Sequence, residues 1–121
     1  MRTLMIVDDE PRTCDALAVF FVSRGFATSV VRTGSEAMAQ LELSCPDYML
    51  LDLRLPDMFG LDVLEHGRRL HPGICVIVIS AVSDPVVVSR AMDLGAADFV
   101  AKPASLDHPS LARAFFAPDS G

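Results

Sequence analysis

Asp8 and Asp9 close the apolar run Leu4-Met5-Ile6-Val7, and Asp52 closes the run Tyr48-Met49-Leu50-Leu51. Strands buried on both faces read as such unbroken apolar runs, and parallel sheets bind ligands outside the carboxyl ends of their strands. If the two runs are neighbouring parallel strands, the three carboxylates meet at one sheet edge. Like charges placed there repel one another, so the arrangement calls for a compensating cation. Ligands that are all oxygen favour a hard ion such as Mg²⁺, which keeps some water and is often shared with a phosphate. Two further runs complete the chemistry. Cys75-Val76-Ile77-Val78-Ile79 delivers Ser80, and Phe99-Val100-Ala101 delivers Lys102. A hydroxyl and an ammonium are what is needed to hold the oxygens of a phosphoryl group on a nearby carboxylate. Singly, Ser80 reads as a turn residue and Lys102 as a solvated one. At four strand ends that share an edge, coincidence is the weaker account.

The elements that must position these residues form five βα units, with strands near 3–8, 27–31, 48–52, 75–80 and 98–101 and helices between them. The first helix runs from Pro11, suited to a first helical position, to Gly25, with Cys14, Leu17, Ala18 and Phe21 as its inward stripe. Val19, Phe20 and Val22 make that segment apolar on other sides too, which suits either a partner surface or burial under neighbouring loops. Thr33 and Glu36 have capping-box spacing at the start of the second helix, which turns Ala37, Met38 and Leu41 inward and ends at Cys45-Pro46-Asp47. The third helix spans about Gly60 to Leu70, with Leu61, Val63, Leu64 and Leu70 apolar, and stops at His71-Pro72-Gly73. The fourth starts at Asp84-Pro85 and stops at Gly95. His66 and His71 have no ligand partner at metal spacing and read as solvated.

A chain of 121 residues makes one domain able to bury a core without staples. Its 51% hydrophobic content and mean hydropathy of +0.40 are high, yet no apolar stretch approaches a membrane span, and a tightly covered sheet explains them better. Met1-Arg2 leads directly into the first strand, so no signal peptide and a cytoplasmic location are expected. Cys14, Cys45 and Cys75 are odd in number and show no zinc spacing, which suggests reduced, mostly buried thiols. A net charge of −6 with scattered lysines and arginines argues against direct nucleic-acid binding.

Over residues 3–103 the chain resembles the receiver domain of bacterial two-component response regulators. The resemblance rests on Val7-Asp8-Asp9-Glu10, on Asp52-Leu53-Arg54-Leu55-Pro56 with Gly60, on Ile79-Ser80-Ala81, and on Asp98-Phe99-Val100-Ala101-Lys102-Pro103. Each motif is short, but their order and spacing together are specific. The resemblance implies a doubly wound, flavodoxin-like α/β fold with five parallel strands in the order 2-1-3-4-5. It implies that Asp52 accepts a phosphoryl group from a sensor histidine kinase or a phosphotransfer protein. It also implies Mg²⁺, or Mn²⁺, bound by Asp9, Asp52 and the backbone carbonyl of Arg54, with Asp8 acting through water. Ser80 and Lys102 are then expected on the phosphoryl oxygens. Phe99 stands at the aromatic switch position, which rotates inward as Ser80 moves, and the Lys102-Pro103 bond is expected to be cis.

Two other readings compete. An aspartyl-nucleophile phosphatase also starts from a strand-end Asp, but such families need a second Asp two residues on, where Arg54 stands. A phosphorylation-independent docking or dimerisation module would not need every one of these polar residues. The segment 105–121 is atypical: His108-Pro109 interrupts the expected last helix and Pro118 limits it, leaving a short or displaced helix near Pro109 to Phe116 and a homodimer face of altered shape. The resemblance also implies that Arg54 and Val82, two beyond Asp52 and Ser80, flank the path of an attacking water; neither can act as a base, which favours a long-lived phosphoryl group. The chain is expected to be either a stand-alone regulator or the receiver portion of a longer protein.

Overall fold

The computed structural model describes residues 2–81 and 84–102. Five parallel strands, β1 (Thr3–Val7), β2 (Ala27–Val31), β3 (Tyr48–Leu51), β4 (Cys75–Ser80) and β5 (Asp98–Ala101), form one sheet in the order β2-β1-β3-β4-β5. Four helices connect them: α1 (Pro11–Ser23), α2 (Gly34–Leu43), α3 (Gly60–Leu70) and α4 (Pro85–Asp93). This is the doubly wound order expected from the sequence. The expected last helix, Val82 and the Lys102-Pro103 bond lie outside the described residues.

Side chains alternate across each strand, so one apolar run feeds two cores. Leu4, Ile6, Leu50 and Ile77 pack with Leu17, Phe21 and Phe26 on the α1 side of the sheet. Met5, Val7, Met49, Leu51, Val76 and Val78 pack with Leu41, Val63, Leu64 and Ala91 on the side of α2, α3 and α4. Buried on both faces, the central strands cannot slip by one residue without exchanging these two sets. The register therefore fixes which residues emerge at the carboxyl edge.

The helix ends follow local chemistry. Pro11 opens α1, and Pro85 follows the Asp84 cap, whose carboxylate accepts from Val86 N–H at 2.8 Å. At the far ends of α1 and α4, Gly25 (φ 90°) and Gly95 (φ 104°) reverse the chain in the left-handed region that glycine tolerates best. Thr33 caps α2 by accepting from Glu36 N–H at 3.0 Å, as its spacing suggested. Asp57, from the β3–α3 loop, takes two more donors of the same turn, Gly34 N–H at 2.8 Å and Ser35 N–H at 2.9 Å.

Several expectations need correction. His71 is half-buried and its Nε2 lies 2.7 Å from the Leu41 carbonyl, joining the end of α3 to α2. His66 is also half-buried, with Nδ1 3.4 Å from Arg69 Nη2 and Nε2 3.1 Å from Glu42 Oε1. Neither ring is simply solvated. Of the thiols only Cys14 is buried; Cys75 is half-buried and Cys45 exposed, and all three are free. Leu70 faces outward more than its pattern implied, at 38% exposure. On α1, Val19 and Val22 are exposed, while Phe20 is half-buried with the Arg24 guanidinium 4.3 Å from its ring centre.

Gly60 sets the close approach of α3 to the end of β3. Its N–H donates to the Leu53 carbonyl at 2.7 Å, and a Cβ there would meet the Asp52 carbonyl oxygen at 2.5 Å and Leu53 Cα at 2.8 Å. A Cβ on Gly34 would meet only the flexible Met58 side chain, at 2.3 Å from Cγ. Gly60→Ala should therefore cost about 1–3 kcal/mol or more in urea unfolding, and Gly34→Ala distinctly less. Equal losses would mean that the β3–α3 connection yields as easily as a methionine side chain.

Candidate functional site

The carboxyl edge gathers the residues that the strand ends deliver. β1 pairs with β3 so that Val7 lies opposite Leu51, and the chain leaves the two strands at Asp8 and Asp52. Asp8, Asp9 and Asp52 each offer a carboxylate oxygen within 4.8 Å of the others. Asp8 and Asp52 are buried, at 3% and 7% exposure, while Asp9 is exposed and open to a hydrated ion.

Lys102 answers the repulsion among them. Its Nζ donates to Asp8 Oδ2 at 2.8 Å and to Asp52 Oδ2 at 2.9 Å. The lysine is brought there by β5, whose Ala101 pairs with Ser80, and by its own N–H, which donates to the Ser80 carbonyl at 2.9 Å. Burial alone would push the Lys102 amine down, but the hydrogen bonds and attraction of both carboxylates outweigh it and raise its pKa above the ordinary lysine value. Its contribution to stability is therefore complete below the ordinary lysine pKa and is lost only as pH rises through the higher folded value. Lys102 stays charged at neutral pH.

The remaining oxygens are held by backbone. Asp8 Oδ1 accepts from Glu10 N–H at 2.9 Å, and Asp52 Oδ1 from Arg54 N–H at 3.0 Å. Cys14, under the loop, donates its thiol to the Asp8 carbonyl at 3.0 Å, and burial with the nearby Asp8 charge raises its pKa. Each carboxylate oxygen has two lone pairs, so these bonds orient the acids and leave acceptor capacity toward the cluster. An all-oxygen cluster with one exposed member fits a hard divalent cation, and the three aspartates could hold one.

The other expected residues are placed as follows. Ser80 ends β4 and is fully buried. Phe99 lies opposite Val78 on β5 and is half-buried against the core on the α2–α4 side. Arg54 is exposed and forms an isolated antiparallel bridge with Phe59 across the base of the β3–α3 loop. Ala81, exposed after Ser80, carries only a methyl group at the edge.

Sequence reasoning missed Asp57. Its Oδ2 accepts from both Ser35 N–H at 2.9 Å and Ser35 Oγ at 2.7 Å, while Oδ1 takes Gly34 N–H. The Ser35 hydroxyl above all, with the two amides, pulls its pKa down to about 2. Pro56-Asp57 reads as an ordinary turn, and nothing local reveals partners 22 and 23 residues earlier.

Comparison with known proteins agrees with this geometry. The model of the response regulator receiver domain family matches residues 4–112, and the chain belongs to that family. The transcriptional regulatory protein KdpE of Mycobacterium tuberculosis is 39% identical over 107 residues, covering 88% of this chain and 47% of its own length. The chain spans about half the length of such curated relatives. A response regulator from Burkholderia pseudomallei, solved with a phosphorylated aspartic acid, calcium ion and citrate, superposes with a TM-score of 0.86. It is 23% identical, and the match covers 94% of this chain and 66% of that one. A CheY-like receiver domain protein from Methanospirillum hungatei JF-1 gives 0.84 at 26% identity, with 87% and 84% covered. Residues 4–112 are thus a receiver domain of the kind found in two-component signalling. No helix among the described residues is long and apolar enough to cross a membrane.

The balance of charge at the edge generates a test. Lys102→Met should lower stability in chelator by about 2–4 kcal/mol, because two buried carboxylates lose their cation. Saturating divalent cation should restore much of that loss and bind more tightly than to the wild type. Equal destabilisation with and without the cation, measured by urea unfolding, would contradict this account of the cluster.

Proposed function

We propose that Asp52 is the phosphoacceptor of this receiver domain and that the chain takes its phosphoryl group from a sensor histidine kinase or a histidine phosphotransfer protein. The observation that carries this reading is the position of the Asp52 carboxylate, buried at a strand end between the two other acids and the Lys102 ammonium. Family membership supports the same reading.

Asp9, Asp52 and the Arg54 carbonyl would hold Mg²⁺, or Mn²⁺ in its place, with Asp8 acting through water. When bound, the ion neutralises charge on the phosphoryl oxygens, so that an anionic donor can approach a carboxylate. The chain's own residues do the rest. Asp52 is oriented through its Oδ1 by the Arg54 N–H, which leaves the Oδ2 side, now occupied by Lys102, to meet the incoming group. Lys102 then moves its hydrogen bonds from carboxylate to phosphoryl oxygen without leaving the site. Ser80 supplies a second donor from the end of β4, and its displacement makes room for Phe99 to turn inward. The surface around β5 and α4 changes accordingly, for an output partner or a second copy of the chain. Beyond its own phosphorylation and dephosphorylation the domain catalyses nothing.

Acetyl phosphate supplies a donor with no kinase. Label should enter the wild type only with Mg²⁺ or Mn²⁺ present, and Asp52→Asn should abolish it. Persisting label at the wild-type level in Asp52→Asn, or wild-type labelling in chelator, would overturn the proposal. Turnover of many equivalents would instead indicate a phosphatase, and no label at all a docking module.

Arg54 is exposed beside Asp52 and permanently cationic, so it can cover phosphoryl oxygens but cannot deprotonate water. Val82 offers no polar group. The phosphoryl group should therefore be lost slowly, and Arg54→Asn, Val82→Glu and the double variant should each shorten its lifetime after donor removal. Decay no faster than in the wild type would reject a role for these two positions.

A further inference from the structure

Arg54 touches the site twice in the reading above: its N–H holds Asp52 Oδ1 at 3.0 Å, and its carbonyl is a proposed cation ligand. Both groups are backbone, so their placement depends on what fixes the β3–α3 loop. At the base of the loop, Gly60 N–H donates to the Leu53 carbonyl and Arg54 pairs with Phe59. Phe59, at the N-cap of α3, provides no side-chain cap, so the base is held by backbone alone. The tip is anchored differently. Asp57 accepts from Gly34 N–H, Ser35 N–H and Ser35 Oγ, and Met58 lies so close over Gly34 that no Cβ fits there.

We propose that Asp57 is a positioning residue for the phosphoacceptor site, clamping the loop tip to the first turn of α2 so that the Arg54 backbone is held against Asp52. The alternative role, a cap that merely stabilises α2, is the poorer fit. α2 already has its own cap in Thr33, whose hydroxyl accepts from Glu36 N–H. Asp57 is exposed, so its three hydrogen bonds are maintained against water and contribute direction more than buried area. Leu55 and Met58 pack apolar surface of the loop against the core, and Asp57 adds the directed hydrogen bonds that such packing lacks. The Met58 side chain lies over Gly34, whose N–H the Asp57 carboxylate accepts, so packing and charge meet at the same residue. The proposal rests on the reading of Asp52 as phosphoacceptor for its meaning, though the clamp itself can be measured without it.

Two readouts on the full chain decide the matter: amide hydrogen exchange at Arg54 and Mg²⁺ affinity by titration calorimetry. Asp57→Ala should expose the Arg54 amide to faster exchange and weaken Mg²⁺ binding by about tenfold, the scale usual when an outer support of a metal ligand is removed. Asp57→Asn keeps one acceptor oxygen and should fall between Asp57→Ala and the wild type. Thr33→Ala removes the other cap of α2 and should leave both readouts unchanged even as it lowers stability. Wild-type exchange and affinity in Asp57→Ala would overturn the proposal. So would equal effects of Asp57→Ala and Thr33→Ala, which would assign the change to α2 stability alone. If the wild type itself binds no Mg²⁺, the phosphoacceptor reading fails separately, while exchange at Arg54 still decides the clamp.

Discussion

The ammonium of Lys102, shared between Asp8 and Asp52, is the interaction on which the rest of this structure depends. It joins residues 94 and 50 positions apart in the chain. Removing the three groups from water costs several kcal/mol per ion, and their hydrogen bonds and mutual attraction work against that cost. The cluster matters for its balance of charge more than for net stability, and a lysine that leaves one carboxylate oxygen for another acceptor keeps a charge-assisted bond. The sheet exists in this register to make that balance possible, with four apolar strands holding four polar ends at one edge.

The same constraint explains the surroundings. Glu10 and Arg54 donate backbone N–H groups to Oδ1 of Asp8 and of Asp52, while Lys102 takes Oδ2 of each, so both acids are oriented and still keep lone pairs for an added cation. Gly60 lets α3 start directly against the Asp52 carbonyl, and Cys14 fastens the Asp8 carbonyl to α1. The aspartates are thus fixed from outside while the face they share stays free to change.

Much of this was legible in the sequence, because its signals are local. Apolar runs ending in Asp, Ser or Lys marked the strands and the edge, and Pro11, Thr33, Asp84, Gly25 and Gly95 marked helix ends within two residues. What escaped was made by tertiary contact. Asp57 looks like a turn residue until the fold carries it to Gly34, and His71 looks solvated until α2 supplies the Leu41 carbonyl. The thiols were expected to be mostly buried, but Cys45 follows the Ser44 cap of α2 and is exposed. The roles expected of Phe99 and Arg54 come from the family resemblance alone, since no periodicity singles those residues out.

Borohydride reduction followed by peptide mass spectrometry tests the central claim most directly, because reduction of an aspartyl phosphate leaves homoserine at the modified position. After treatment with acetyl phosphate and Mg²⁺, the account predicts homoserine at position 52 and intact aspartate at positions 8 and 9. Homoserine at Asp8 or Asp9, or a phosphoryl group recovered on another residue with Asp52 unchanged, would contradict it.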